Sequence, residues 1–175
     1  MDWSSLRYWL ERNLKDSTGE LAYRASIRAF PLVAFDLRKT WSSKVGNEVR
    51  LLSMLRALVT MRVADDRPDM DLSAYLQQAR IRLGAPDTFD YAGRAIRSAC
   101  NLHVLRTRAE RAEELRKTIQ TAKDGSQNVA RGYGEVPPYY DLNAWREIEA
   151  DTDAISSGQA LPSYAVREPS TVAGA

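Results

Sequence analysis

Apolar side chains recur every third or fourth position along almost the whole chain, and this spacing constrains the fold more than any other feature. On a helix turning every ~3.6 residues, such spacing gathers one apolar stripe per segment, and the stripes must be buried against each other. Trp3, Leu6, Leu10 and Leu14 set the pattern and predict a helix over 2–14. Leu21, Ala25, Ala29 and Phe30 continue it behind Ser17-Thr-Gly-Glu20, which reads as a capping box. Pro31 then interrupts the run, and predicts either a kink or a fresh helix start at Leu32. Leu32, Val33, Phe35, Leu37 and Trp41 lead on to a turn at Ser42-Ser43.

The segment from Asn47 to Val63 is the most hydrophobic, and its Leu51, Leu52, Leu55, Leu58, Val59 and Val63 are expected at the centre of the core. A short helix from about Asp71, carrying Leu72, Tyr75, Leu76, Ala79 and Leu83, should end at Gly84 and Pro86. From Asp87 to Lys123 the pattern predicts one helix of about 55 Å, with Gly125 as its terminator. Tyr91, Ala95, Ser98, Leu102, Leu105, Ala109 and Ala112 form a seam of small residues along it, suited to close approach of a partner helix. Residues 124–141 read as a glycine- and proline-punctuated loop. The final helix, Leu142 to Ile155, places Trp145, Ile148, Thr152 and Ile155 on one face. No segment alternates with period two. The expected fold class is therefore all-α: an irregular helical bundle of five to seven helices, with one long central helix and an extended C-terminal tail. Residues 1–155 form its single domain, and residues 156–175 an extended or disordered tail.

Composition narrows the setting. A single cysteine, Cys100, forms no disulfide within the chain, which fits a reducing compartment. No apolar run approaches the roughly 18 residues of a membrane span, and the N-terminus lacks the apolar core of a secretory signal. A cytoplasmic protein without a membrane partner is expected. Charge is uneven: residues 80–123 hold ten basic and five acidic groups, whereas residues 124–175 hold three and eight. The imbalance is too weak for a dedicated polyanion binder but permits a local basic patch.

Few side chains could carry chemistry. Cys100 and His103 share a helix face and form a thiol–imidazole pair in principle, but a buried packing role is the expected one. Asp65-Asp-Arg-Pro-Asp69, with Asp71 beyond, spells a carboxylate motif known from magnesium sites. Pro68 breaks the helix that would align it, so caps and a solvated turn are expected, with no metal and no cofactor. Arg94, Arg97, Arg108 and Arg111 fall on one side of the predicted long helix and could track phosphates, pair with Glu110, Glu113 and Glu114 or the acidic last helix, or dock an acidic partner. Tyr133, Tyr139 and Tyr140 belong to a tyrosine-rich loop of the kind found at recognition surfaces. No phosphate-cradling loop, nucleophile elbow, zinc-protease or kinase motif occurs, so no catalytic residue is assigned.

The last helix reads Trp145-Arg-Glu-Ile148-Glu-Ala-Asp151 and is followed by Ser157-Gly158 and Leu161-Pro162. Upstream stand Arg28-Ala-Phe-Pro-Leu32 and Leu55-Arg-Ala-Leu58. These strings resemble a set of alanine-rich helical bacterial proteins that end in a Trp-x-x-Ile-x-x-Asp helix. The alanine-rich run of that set is only partly present here, from Ala92 to Ala112. The resemblance implies an all-α bacterial protein and says nothing of chemistry. The leading functional expectation is a non-catalytic helical interaction module, an accessory, inhibitor or immunity-type partner of another protein, acting through a protein partner or self-association. The alternatives are nucleic-acid binding through the arginine stripe and a thiol-dependent enzyme using Cys100 and His103.

Overall fold

The computed structural model describes Tyr8 and residues 18–33, 44–84, 90–105, 107–130, 144–157, 159 and 161. Among these residues there are six helices and no strand: α1 (Thr18–Ala29), α2 (Lys44–Asp66), α3 (Ser73–Arg82), α4 (Tyr91–Leu102), α5 (Arg108–Ala130) and α6 (Ala144–Ser156). The all-α bundle expected from the apolar spacing is what forms. The expectations for residues 1–17 (Tyr8 apart, which is helical), 34–43, the tyrosine loop and the tail beyond Leu161 lie outside the described residues.

Helix α1 sits at the centre and packs against α2, α4, α5 and α6. Its Ala22, Ala25 and Ala29 are fully buried, and these small side chains let several neighbours approach at once. Pro31 acts as a fresh start rather than a kink: α1 ends at Ala29, Phe30 and Pro31 turn, and residues 32–33 are helical again. At the far end of the fold α6 is tied to α1 by ions. Asp151, 1% exposed, takes Arg28 Nη1 and lies 3.6 Å from Arg24 Nη1, while Arg28 Nε donates to Glu147 at 3.1 Å. Ile148, Thr152 and Ile155 bury the apolar face of α6 as expected, with Trp145 half-buried beside them.

Two expectations need correction. The helix proposed from Asp87 to Lys123 is two helices. It stops at Leu102, turns at His103 and Val104, bends at Thr107 and resumes at Arg108. The turn is made by Thr107, whose Oγ1 accepts from Glu110 N at 3.3 Å while Thr107 N donates back to Glu110 Oε2 at 3.3 Å. This is a capping box inside the seam. The small-residue seam thus finds its partner in the second half of the same segment, because α4 and α5 pack as an antiparallel hairpin. Tyr91 Oη accepts from Asn128 Nδ2 at 2.7 Å near the open end, and Ser98 Oγ donates to Glu114 Oε1 at 2.8 Å nearer the turn. Nor does Gly125 end a helix. A Cβ there would lie 2.6 Å from Tyr91 Cβ, so the glycine lets α5 close on α4 and run on to Ala130.

The second correction concerns α2. Met54, Ala57, Leu58 and Met61 face the core, whereas Leu52, Leu55, Val59 and Val63 of the expected core face are exposed and Leu51 is only partly buried. The helix is apolar nearly all round, and the narrower arc fits against α1 and α4.

Candidate protein-docking groove

The outward arc of α2 holds Val49, Leu52, Leu55, Val59 and Val63, within about a third of the helix circumference. Val59 is 63% exposed, Leu52 47% and Leu55 41%. Beside it runs α3, held by Leu76 and Leu83 in the core and by Arg80 Nη1, which donates to Asn101 Oδ1 of α4 at 2.9 Å. Asp71 Oδ1 accepts from Ser73 N at 3.0 Å before the first turn of α3. Gly84 ends it with φ +67°, the left-handed position expected of a C′ glycine, and Arg97 Nη1 donates to the Gly84 carbonyl at 2.5 Å. So anchored, α3 turns Tyr75, 67% exposed, and Ile81 to solvent.

Between the two helices lies a groove of about 370 Å³, lined by Ser53, Leu55, Arg56, Val59 and Thr60 from α2 and by Tyr75, Ala79 and Arg82 from α3. Its serine and threonine hydroxyls bond back to their own helix: Ser53 Oγ donates to Val49 O at 2.8 Å and Thr60 Oγ1 to Arg56 O at 2.7 Å. The groove therefore presents carbon, with two guanidinium groups at its walls. Neither Arg56 nor Arg82 is in an ion pair among the described residues. Arg62 of the same helix lies 2.6 Å from Glu20 and 3.1 Å from Asp66, and Arg67 lies 2.9 Å from Asp69.

The four arginines read as one stripe are divided. Arg94 and Arg97 lie on α4, Arg108 and Arg111 on α5, and the turn between the helices breaks the row. The carboxylates of α6 meet other cations: Glu147 and Asp151 meet Arg28, and Glu149 meets Lys123. Glu113 pairs with Arg116, and Glu114 with Lys117, Ser98 and Asn101. Tyr133, Tyr139 and Tyr140 lie outside the described residues.

Cys100 is fully buried, and burial pushes its thiol up to about 12. His103 caps the end of α4, where burial and, second, the Arg111 charge lower it to about 4. No hydrogen bond joins the two among the described residues, and a thiol in this setting is neutral at physiological pH. Of the carboxylate run, Asp69 is paired with Arg67 and Asp71 serves α3. Asp65 alone turns inward, against Gly19 and near Glu20. No group of three or more His, Cys, Asp or Glu side chains suited to a metal occurs among the described residues. No described helix is long and apolar enough to cross a membrane.

The groove was not anticipated from sequence, yet its signal was there. Met54, Ala57, Leu58 and Met61 and the arc from Val49 to Val63 give one helix two apolar faces, more than a single set of neighbours can cover. Comparison with family models, curated proteins and solved structures returned no match to the chain.

Proposed function

We propose that the chain is a non-catalytic helical protein-interaction module that receives its partner on the outward face of α2 and α3. The observation that carries this reading is the groove whose α2 wall bears the exposed Leu55 and Val59 and whose α3 wall bears the exposed Tyr75, with Val49, Leu52 and Val63 also exposed on that arc of α2. Folded monomers seldom leave apolar patches much beyond a few hundred Å² without a use, because each square ångström left in water forgoes roughly 25 cal/mol of burial. Scattered exposed apolar residues mean little, but Leu55 and Val59 share one helix arc and line a groove with Tyr75. The neutral, buried state of Cys100 supports the non-catalytic part of the reading.

The test compares the native chain with a Leu55→Glu/Val59→Glu variant in affinity capture from extract, with light scattering to report self-association. The native chain should retain a stoichiometric partner, or self-associate, and the variant should lose it. A native chain that stays monomeric and retains nothing, or a variant that retains the same protein, defeats the reading.

A further inference from the structure

We infer that the groove between α2 and α3 takes an amphipathic helix bearing carboxylates beside its apolar stripe, contributed by a different protein. This rests on the docking reading above and adds the chemistry of the occupant. The charge pattern selects it. Arg56 stands on one wall and Arg82 on the other, both exposed and both without an ion pair among the described residues, while Arg50 of α2 pairs with Asp90, Arg62 of α2 with Glu20 and Asp66, and Arg67, just past the helix, with Asp69. Two unpaired guanidinium groups flanking apolar walls fit a ligand that offers carbon to the floor and carboxylate to both edges, the geometry of bidentate arginine pairing.

The shape agrees. The lining of the groove on α2 runs from Ser53 to Thr60, about 10 Å or two helical turns, and the exposed arc from Val49 to Val63 extends beyond it at both ends. A bilayer surface would favour a helix lying with its apolar face outermost and free of a groove. A second copy is disfavoured by charge, because an isologous pairing centred on the groove sets Arg56 and Arg82 against their own counterparts.

The probe is a fluorescein-labelled helical peptide of about 18 residues, with leucines at i, i+3, i+4 and i+7 and glutamates on both flanks. A matched peptide carries lysines in place of the glutamates. Both are titrated by anisotropy against the full chain, after far-UV circular dichroism shows that each variant folds. The glutamate peptide should bind, the lysine peptide should bind about tenfold or more weakly, and an Arg56→Glu/Arg82→Glu chain should reverse the preference. Equal binding of both peptides, no binding of the glutamate peptide, self-association that the peptide fails to displace, or sedimentation with phosphatidylserine vesicles that the peptide fails to prevent would each overturn the assignment. If the glutamate peptide fails while Leu55→Glu/Val59→Glu still abolishes capture of a partner from extract, the occupant is wrong and the docking face stands.

Discussion

Asp65 shows how one side chain can oppose the fold that contains it. It points at the amino end of α1, where a Cβ on Gly19 would sit 2.1 Å from its Oδ1, and its Oδ2 is buried without a hydrogen bond. Burial, then the charge of Glu20, raises its pKa from 3.8 to about 6. Arg62 and Arg111 act the other way, and Asp66 adds to the rise. The amino end of α1 also favours the anion, by about 0.3–1 kcal/mol, which is less than the burial effect. Between pH 3.8 and 6 the folded chain therefore binds more protons at this group than the unfolded chain. Stability from Asp65 is thus present at low pH and is lost as pH rises through about 6. Replacing it by Asn should raise the unfolding free energy at pH 8 by about 1–2 kcal/mol and change it little at pH 4. Urea titrations at the two pH values check this, and an equal effect at both would show that the carboxylate is not desolvated. This position was legible in the sequence only as one of several turn aspartates. Which of them turns inward depends on α1 arriving beside it.

At the scale of elements, local chemistry was read well where its signals were strong and misread where a longer pattern ran across them. Gly84 ends α3 at positive φ as expected, because only the residue itself and its immediate neighbours decide that conformation. Thr107-Arg-Ala-Glu110 carries the same kind of local signal, but a continuous seam of apolar positions passes through it and suggested one long helix. The seam is real. Of its members Ala95, Ser98 and Leu102 of α4 and Ala112 of α5 are buried on two helices that fold onto each other, whereas Ala109 beside the turn is exposed and the burial continues to Leu115 and Ile119, past where the seam was expected to weaken. Since Thr107 and Glu110 are exposed, the cap can be probed without disturbing the core. Thr107→Ala should lower the unfolding free energy by about 1 kcal/mol in denaturant titrations. A variant as stable as the native chain would show that packing of the hairpin alone sets the turn.

For the whole molecule, the question is which side of α2 the bundle covers. Met61→Ala on the inner arc should cost about 3 kcal/mol through the cavity it leaves. Val59→Glu on the outer arc should stay within about 0.5 kcal/mol of the native chain. Thermal unfolding followed by calorimetry separates the two, and a large loss for Val59→Glu would place that face inside the fold. The sequence alone determined that the chain is helical throughout its described parts, that Pro31 interrupts the run after α1 as a kink or a fresh start, and that α6 buries Ile148 and Ile155, because these follow from spacing and backbone chemistry within a few residues. Only the tertiary structure decided that residues 91–130 fold back on themselves and that α2 turns Met54, Ala57 and Met61 inward, leaving Leu55 and Val59 beside Arg56 and Arg82. A helix with two apolar faces carries no local instruction for choosing between them, and the choice falls to the shape and small side chains of the helices that pack against it.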